Sequence, residues 1–121
     1  LASPTTTDAR VATMGELAQG YVYYVSFAGI TGADRLVMAD VGAKLDALRQ
    51  KIRVPIAVGF GVKTAEQAAA LAPHADAVVV GSALVEQLAA ATSLTDAQQR
   101  AREFLQPLRR AMDAARTTET A

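Results

Sequence analysis

Hydrophobic residues are arranged along this chain in two alternating patterns, which predict strands interleaved with helices. Short, continuous apolar runs at residues 21–27 and 55–61 are typical of strands that are covered on both faces, and residues 76–81 predict a third buried strand. Between these runs, apolar residues recur every three or four positions, as they do on one face of a helix. The resulting order is helix, strand, helix, strand, helix, strand, helix, helix. Strands that alternate with helices favour an α/β fold with a parallel sheet.

Residues that cap helices indicate where several of the helices begin. Thr6 or Thr7 can accept a hydrogen bond from the first free amides of a following helix. The sequences Thr-Ala-Glu-Gln at 64–67 and Thr-Asp-Ala-Gln at 95–98 match a capping box, in which the first and fourth residues satisfy each other's backbone amides. Ser82 begins a further helical stretch directly after the third predicted strand.

Three segments are predicted to depart from regular structure. Residues 33–40 show no clear period and are interpreted as a loop. Residues 32–40 are expected to be mobile, because they follow a strand end and lack periodicity. Pro107 predicts a kink or a break in the last helix, since proline has no amide hydrogen. Residues 116–121 are polar and are expected to fray.

Composition and charge exclude several classes of protein. The 121 residues predict one domain or part of a larger one. The chain has 12 Lys or Arg and 12 Asp or Glu residues, and its zero formal charge gives no support for nucleic-acid binding. The absence of cysteine and the single histidine exclude disulfides and Cys- or His-rich metal sites. No apolar run reaches the roughly 18 residues of a membrane span, and the start does not resemble a signal peptide, so we expect a cytoplasmic protein.

Glycine follows each of the three predicted strands. Ligands of α/β proteins bind beyond the carboxyl ends of parallel strands, and glycine lets a ligand approach the backbone closely. Gly81 and Ser82 also open a helix, whose free amides and positive dipole end suit a phosphate group. Strand termination alone explains a single glycine, but glycine at three consecutive strand ends predicts a phosphate site. These glycines are Gly29, Gly32, Gly59, Gly61 and Gly81.

Two other phosphate-binding motifs do not match. Gly-Phe-Gly-Val-Lys-Thr at 59–64 lacks the third glycine of a dinucleotide-binding fingerprint. The acidic residue of that fingerprint belongs at the end of the next strand, whereas Asp76 lies at its start. A Walker A loop requires Gly-Lys followed by Ser or Thr, and the sequence has none.

Other polar residues give weaker signals. His74 is interpreted as an exposed loop residue and Lys63 as a surface residue. No carboxylate is placed convincingly as a general acid or base. One tyrosine near the end of the first strand could face a pocket. The arginines interpreted as the solvated face of the last helix are Arg100, Arg102, Arg109, Arg110 and Arg116.

Several segments resemble the tryptophan synthase alpha subunit, in the order in which that family has them. Residues 20–32, Gly-Tyr-Val-Tyr-Tyr-Val-Ser-Phe-Ala-Gly-Ile-Thr-Gly, resemble its sixth strand and the loop that follows. Residues 58–61, Val-Gly-Phe-Gly, resemble the end of its seventh strand, and residues 80–85, Val-Gly-Ser-Ala-Leu-Val, resemble the eighth. Residues 1–10 resemble the end of the fifth strand and the loop after it. The resemblance covers nearly the whole chain.

The resemblance implies the C-terminal half of a (β/α)8 TIM barrel, with residues 1–121 as one partial barrel domain from the end of strand 5 through the final helix. The family is a lyase of tryptophan biosynthesis that cleaves indole-3-glycerol phosphate to indole and glyceraldehyde 3-phosphate. A complete barrel needs roughly 250 residues. The family's catalytic Glu and Asp lie in its second strand and the loop after it, and nothing here matches them. We therefore assign no catalytic residue and expect this chain alone to be inactive.

By the same resemblance, residues at the three strand ends form part of the substrate site. Tyr23 and Phe60 match positions that line the pocket for the indole and glycerol groups. Thr31 matches a loop threonine that helps to close the site. No cofactor and no metal is implied. The residues that match the phosphate site are Gly32, Gly61, Gly81 and Ser82.

The resemblance also implies a protein partner. In this family the alpha subunit docks on a PLP-dependent beta subunit in a heterotetramer, and residues 4–6 and 27–30 match the docking region. Two alternatives stay open: a non-catalytic phosphate-binding half-barrel module, and another phosphate-binding TIM-barrel enzyme of indole or histidine biosynthesis. Because three strands and an N-terminal stub cannot close a barrel, we also expect the chain to self-associate.

Overall fold

Three parallel strands alternate with helices in the part of the chain that the computed structural model describes, residues 1–26, 34–59 and 61–119. The strands are β1 (Val22–Val25), β2 (Ile56–Gly59) and β3 (Ala77–Val79). The helices are α1 (Asp8–Leu17), α2 (Asp34–Arg49), α3 (Ala65–Leu71), α4 (Ser82–Ala89) and α5 (Leu94–Glu119). This order confirms the α/β fold class that the alternating patterns predict.

The strands form one sheet in the order β1-β2-β3, with β2 in the middle and every pair parallel. Val22 lies beside Ile56 near the amino-terminal end of the sheet. At the carboxyl end, Gly59 lies beside Val25 on one side and Val79 on the other. The two crossovers between neighbouring parallel strands each contain one helix, α2 and α3, which is the βαβ arrangement.

The first residues of the chain extend the sheet beyond β1. Ala2 forms an isolated parallel bridge with Tyr24. The amide of Ala2 donates to the carbonyl of Tyr23 over 2.8 Å, and the amide of Val25 donates to the carbonyl of Ala2 over 2.9 Å. The predicted stub of a fourth parallel strand is therefore present.

One face of the sheet packs against the helices and holds the hydrophobic core. Tyr24 and Val58 on this face are fully buried, together with Leu45 of α2 and Leu71 of α3. Both crossover helices return on the same side, so the opposite face is only partly covered and Val79 on it is 40% exposed. The prediction that the first two strands are covered on both faces is therefore confirmed for β2, in which every residue is buried, and is wrong for β1. The prediction that the third strand is buried is also wrong, because Ala77 and Val79 of β3 are exposed.

Two of the predicted helix caps are confirmed. Thr7 caps α1, and its hydroxyl accepts a hydrogen bond from the amide of Arg10 over 3.5 Å. Thr64 and Gln67 form the reciprocal capping box of α3, in which each side chain accepts from the other residue's amide over 3.3 Å. These local signals place the starts of α1 and α3 correctly because the donors and acceptors are only three residues apart.

The capping prediction for α5 is wrong, because the helix begins at Leu94, before the predicted cap. Ser93 Oγ accepts from the amide of Asp96 over 3.1 Å, so Ser93 takes the capping role that was expected of Thr95. The Asp96 carboxylate in turn accepts from the amide of Thr92 over 2.9 Å. Ser93 and Asp96 thus satisfy free amides at the start of the helix, which is the role that the sequence predicted for Thr95 and Gln98.

The predicted loop before the second helix is also wrong. α2 begins at Asp34, so residues 34–40 are helical and not a loop. Three consecutive apolar residues at 36–38 mask the helical period in the sequence. The expected mobility of residues 32–40 stays a prediction, and residues 32 and 33 lie outside the described part of the chain.

The last helix is longer and better anchored than its sequence predicts. It continues through Pro107 without a break, because the cost of about 3 kcal/mol is offset by packing such as that of Leu108, which is 7% exposed. It also reaches Glu119, so the predicted fraying of residues 116–121 is wrong as far as that residue. Arg116 is not part of a solvated face, because it donates to the carbonyls of Ala72, Ala75 and Asp76 over 3.3, 2.9 and 2.9 Å.

A charged cluster joins the amino-terminal ends of β2 and β3 to the helices. Asp76 Oδ2 accepts from the amide of Ile56 over 2.8 Å and pairs with the Arg49 guanidinium over 3.1 Å. Burial alone would raise the pKa of Asp76. The hydrogen bond from Ile56 and the charges of Arg49 and Arg116 outweigh burial and hold this pKa below its usual range. The cluster therefore stabilises the ionised carboxylate in the folded chain.

His74 lies in the same region, in the predicted turn between α3 and β3, but it is half-buried and not exposed. Its Nδ1 lies 3.0 Å from Asp46 Oδ1, and its carbonyl accepts from Arg49 Nε over 3.3 Å. Its ring packs against α2 at Gly42, where an added Cβ atom would come within 2.9 Å of Nε2. His74 therefore connects the loop between α3 and β3 to α2.

We expect Asp76→Asn to lower the free energy of unfolding at neutral pH and to flatten its dependence on acid pH. The folded-state pKa of Asp76 lies below its unfolded value of about 3.9. The carboxylate's contribution is therefore fully present above that unfolded value and is lost as the pH falls through the lower, folded one. Urea unfolding of both proteins at a series of pH values measures the difference.

The matched control for this prediction is Asp113→Asn, which removes only a surface ion pair with Arg109. This control should change the free energy of unfolding little at any pH. An equal loss in the two variants, or a pH profile of Asp76→Asn parallel to that of the wild type, would contradict the role assigned to Asp76.

We expect the chain to self-associate, because the described part of β3 pairs with β2 on one side only and presents Val79 on the partly covered face. Light scattering at increasing protein concentration should show species heavier than 12.6 kDa. Val79→Lys should raise the monomer fraction, because a charged edge strand resists pairing. Val85→Lys, on the exposed side of α4, is the matched control, and a wild-type monomer at all concentrations would refute the prediction.

Candidate functional site

The carboxyl ends of the three strands lie level with one another. Val25, Gly59 and Val79 are direct neighbours across the sheet. Gly61 lies two residues after Gly59, and Gly81 lies two residues after Val79. The chain therefore leaves both strands at neighbouring points, and two of the predicted phosphate-site glycines share one edge of the sheet.

The start of α4 presents free amides at this edge. The first hydrogen bond of the helix runs from the amide of Leu84 to the carbonyl of Gly81 over 2.9 Å, so the amides of Ser82 and Ala83 have no acceptor within the helix. Gly81 is the N-cap and supplies no side-chain cap. A Cβ atom added to Gly81 would meet no atom of the described residues within 4 Å. The position of a side chain at the helix start is therefore open toward the described part of the chain, and the helix dipole favours a negative charge near these amides.

Gly61 lies in the turn that leads from β2 to α3. Its φ of 76° falls in the left-handed region, which glycine adopts without steric cost. Val62 beside it is buried, and the amides of Lys63 and Thr64 are bound by the side chain of Gln67. The cap of α3 therefore uses the later amides of the turn and leaves Gly61 as the exposed backbone position at the strand end.

Tyr23 lies on the partly covered face of the sheet and crosses toward β2. A Cβ atom at Gly59 would come within 2.5 Å of the Tyr23 hydroxyl oxygen and 2.9 Å of the carbonyl oxygen of Val79. Only glycine fits at this position, because a side chain would overlap both atoms. The Tyr23 hydroxyl therefore lies beside the carboxyl ends of β2 and β3, whereas Tyr24 points into the core.

Ser26 is a residue of this region that the sequence patterns do not indicate. It directly follows β1 and is completely buried. Its amide and its hydroxyl both donate to the carbonyl of Gly59, over 3.0 and 2.9 Å. One signal in the sequence could have identified it: a single hydroxyl within an otherwise apolar segment. Such a hydroxyl requires a hydrogen-bond partner when the segment is buried.

Part of the predicted site lies outside the described part of the chain. The predicted partner segment 27–30 also lies there, so its role stays a prediction. Residues 4–6, the other predicted partner segment, form a turn in which the amide of Ser3 donates to the Thr6 hydroxyl over 2.9 Å. The predicted site residues outside the described part are Thr31, Gly32 and Phe60.

Few charged residues follow β2 and β3 in the sequence. Residues 60–64 and 80–84, which follow β2 and β3, contain one charged side chain, that of Lys63, and no carboxylate. The absence of a carboxylate favours an anion at this edge, because like charges repel.

Across the described ranges, no group of three acidic or histidine side chains is placed to hold a metal ion. None of the helices described here is both long enough and apolar enough to cross a membrane.

A cavity on the helix-covered side of the sheet does not involve these residues. Its volume is about 650 Å³, and Pro4, Tyr24, Val41 and Lys44 contribute to its lining. The Tyr24 hydroxyl is buried without a hydrogen-bond partner among the described residues, and burial raises the pKa of this group. The glycines at the strand ends and the cavity are therefore separate features of the molecule.

The profile of the family described as tryptophan synthase alpha chain matches residues 1–115. The chain belongs to this family. Its similarity to the tryptophan synthase alpha chain of Xylella fastidiosa strain M12 is 54% identity over 114 residues, which cover 94% of this chain and 42% of that protein. The tryptophan synthase alpha chain of Xanthomonas campestris pv. campestris strain B100 is 54% identical over 115 residues, with the same coverage. The chain thus spans about two-fifths of the length of these curated relatives.

Solved structures of the tryptophan synthase alpha family have the same fold. The alpha subunit from Legionella pneumophila strain Paris matches with a TM-score of 0.75 and 34% identity, over 93% of this chain and 41% of that one. A structure of tryptophan synthase from M. tuberculosis, described as an open form with BRD0059 bound, matches with a TM-score of 0.70 and 29% identity, over 92% and 38%. The prediction that the strands and helices are part of a (β/α)8 barrel is confirmed.

We expect Gly59→Ala to destabilise the fold by about 1–3 kcal/mol, because its methyl group would overlap the Tyr23 hydroxyl and the Val79 carbonyl. Tyr23→Phe should recover part of that loss in the double variant, since it removes the closest of these contacts. Urea unfolding of the wild type, the two single variants and the double variant yields the coupling energy. Gly81→Ala, which meets no atom within 4 Å, is the control, and additive effects at Gly59 and Tyr23 would contradict the close approach.

Proposed function

We propose that this chain is the phosphate-binding part of a tryptophan synthase alpha-type lyase, which cleaves indole-3-glycerol phosphate to indole and glyceraldehyde 3-phosphate in tryptophan biosynthesis. One observation supports this most directly: α4 begins with free amides directly after β3, whose carboxyl end lies level with that of β2 in the parallel sheet. Membership of the tryptophan synthase alpha family supports the choice of substrate.

The phosphate group binds at the start of α4 in this proposal. Its oxygens accept from the amides of Ser82 and Ala83 and from the Ser82 hydroxyl, and the helix dipole adds a favourable charge. Gly81 leaves the approach open because it has no side chain. Gly61 forms the neighbouring wall, and Gly32 completes the phosphate site by its match to the family.

The indole and glycerol groups bind on the partly covered face of the sheet. The Tyr23 hydroxyl beside the ends of β2 and β3 supports a place for this residue in the pocket. By their match to the family, Phe60 lines the same pocket and Thr31 helps to close it. The parallel register supports this arrangement, because all three strand ends lie at one edge.

Proton transfer is not assigned to any residue of this chain. The residues that directly follow the strands, at 26–33, 60–64 and 80–84, contain no carboxylate. Aldol cleavage of indole-3-glycerol phosphate needs a positioned acid and a positioned base. Proton transfer by such a group typically accelerates a reaction by roughly 10²–10⁴-fold. We propose that these groups, and contact with a beta subunit through residues 4–6 and 27–30, belong to the complete enzyme. A cytoplasmic location is part of the same proposal.

A non-catalytic module that binds phosphate is the second candidate function. The same lack of carboxylates at the strand ends favours it, because binding alone requires only the amides and the hydroxyl. The family match argues against another phosphate-binding barrel, since residues 1–115 fit the tryptophan synthase alpha chain.

We expect Gly81→Val to weaken the binding of a phosphate monoester, because a branched side chain would fill the open space beside the α4 amides. Ser82→Ala should cost less, about 0.5–1.5 kcal/mol for one hydrogen bond. Calorimetric titration with indolepropanol phosphate or glycerol 3-phosphate measures both effects. Ala89→Val, at the opposite end of α4, is the control of similar size, and unchanged affinity in Gly81→Val would refute this phosphate site.

We expect the 121-residue chain to release no measurable indole from indole-3-glycerol phosphate, because it has no carboxylate at its strand ends. Indole formation can be followed over hours at high protein concentration, with a complete alpha subunit and its beta subunit as the positive control. Turnover comparable to that of the complete enzyme would contradict the assignment of binding without proton transfer.

A further inference from the structure

Ser26 occupies an unusual place among the described residues, because it is the polar residue that is fully enclosed by the core. Ser26 lies two residues after Tyr24 and four after Val22, and residues at this spacing point to the same face of a sheet. Its side chain therefore points to the helix-covered side, like those of Val22 and Tyr24. A ligand on the opposite face cannot touch this hydroxyl. Any effect of Ser26 on a ligand must therefore pass through a neighbouring group.

That neighbouring group is the carbonyl of Gly59, the last residue of β2. The amide of Ser26 donates to it over 3.0 Å, as the ladder of a parallel sheet requires, and the Ser26 hydroxyl adds a second bond of 2.9 Å. A carbonyl oxygen has two lone pairs and accepts both. The second bond restrains rotation of the peptide plane at the point where β2 ends and the turn with Gly61 begins.

The opposite side of Gly59 is also closely packed. The Tyr23 hydroxyl and the Val79 carbonyl occupy the space where a side chain would lie. Gly59 is thus held by the ladder bond from β1, by the Ser26 hydroxyl on the helix-covered side and by close packing on the other side. Two residues later, the backbone at Gly61 turns into the left-handed region, so a small rotation at Gly59 would displace the Gly61 backbone.

We propose that Ser26 is a positioning residue: through the carbonyl of Gly59, its hydroxyl fixes the turn that places Gly61 beside Gly81 and thereby sets the affinity for a phosphate monoester. This role rests on the proposed function for the phosphate-binding edge. It differs from a merely structural role, in which Ser26 would contribute to stability and leave the affinity of the folded chain unchanged.

Two substitutions separate affinity from stability. Ser26→Ala removes the hydroxyl but keeps the amide bond to Gly59, so no buried acceptor is left without a partner. Ser26→Thr keeps the hydroxyl and adds a methyl group in a fully buried place, which should lower stability. Ser93→Ala is the matched control, because it removes a helix cap of α5 remote from Gly59 and lowers stability alone.

Calorimetric titration of the 121-residue chain with glycerol 3-phosphate tests the proposal. We expect Ser26→Ala to weaken binding by about three- to tenfold, the equivalent of one hydrogen bond. Ser26→Thr and Ser93→Ala should bind within about twofold of the wild type, although both melt at lower temperature. Equal affinity in Ser26→Ala and the wild type, or an equal loss of affinity in Ser93→Ala, would overturn the positioning role.

A second measurement does not depend on ligand binding. The steady-state heteronuclear NOE of the Gly61 amide should fall in Ser26→Ala, while that of Gly81 stays the same. If the wild type does not bind glycerol 3-phosphate, the proposed phosphate site fails, and the Gly61 signal then decides the positioning role alone. A Gly61 amide as ordered in Ser26→Ala as in the wild type would overturn the inference.

Discussion

Parallel pairing of the three strands at one register is the constraint on which the candidate site depends. Val25, Gly59 and Val79 lie side by side because backbone hydrogen bonds align β1, β2 and β3. A shift of one residue would turn each side chain to the other face of the sheet. Gly61 and Gly81 each lie two residues beyond these level strand ends. The proposed anion-binding edge depends on this alignment.

The close packing around Gly59 shows how the structure keeps this register. The Tyr23 hydroxyl and the Val79 carbonyl leave room for no side chain on one side, while Ser26 holds the carbonyl from the other. A larger residue would push the strands apart at the end where the ligand is proposed to bind. The glycine at 59 therefore serves packing between strands, whereas the glycine at 81 leaves open space.

The charged cluster and the proposed binding site lie at opposite ends of the sheet. Asp76, Arg49 and Arg116 connect the amino-terminal ends of β2 and β3 to α2 and α5, and His74 adds a contact to α2. None of these charged residues lies at the carboxyl ends. This division is common in (β/α)8 barrels, where the loops after the strands bind ligands and the opposite face stabilises the fold. The ionised cluster can thus secure the helices without repelling a phosphate group.

The sequence by itself determined the α/β fold class, the order of the elements, the caps at Thr7 and Thr64 and the glycines at the strand ends. These features depend on periodicity and on contacts within a few residues, which a sequence pattern records directly. Only the tertiary structure decided the partners of Arg116, His74 and Ser26, because each binds a residue 28 to 44 positions away. The same holds for the open face of the sheet, since burial depends on which elements pack there and not on the apolar run itself.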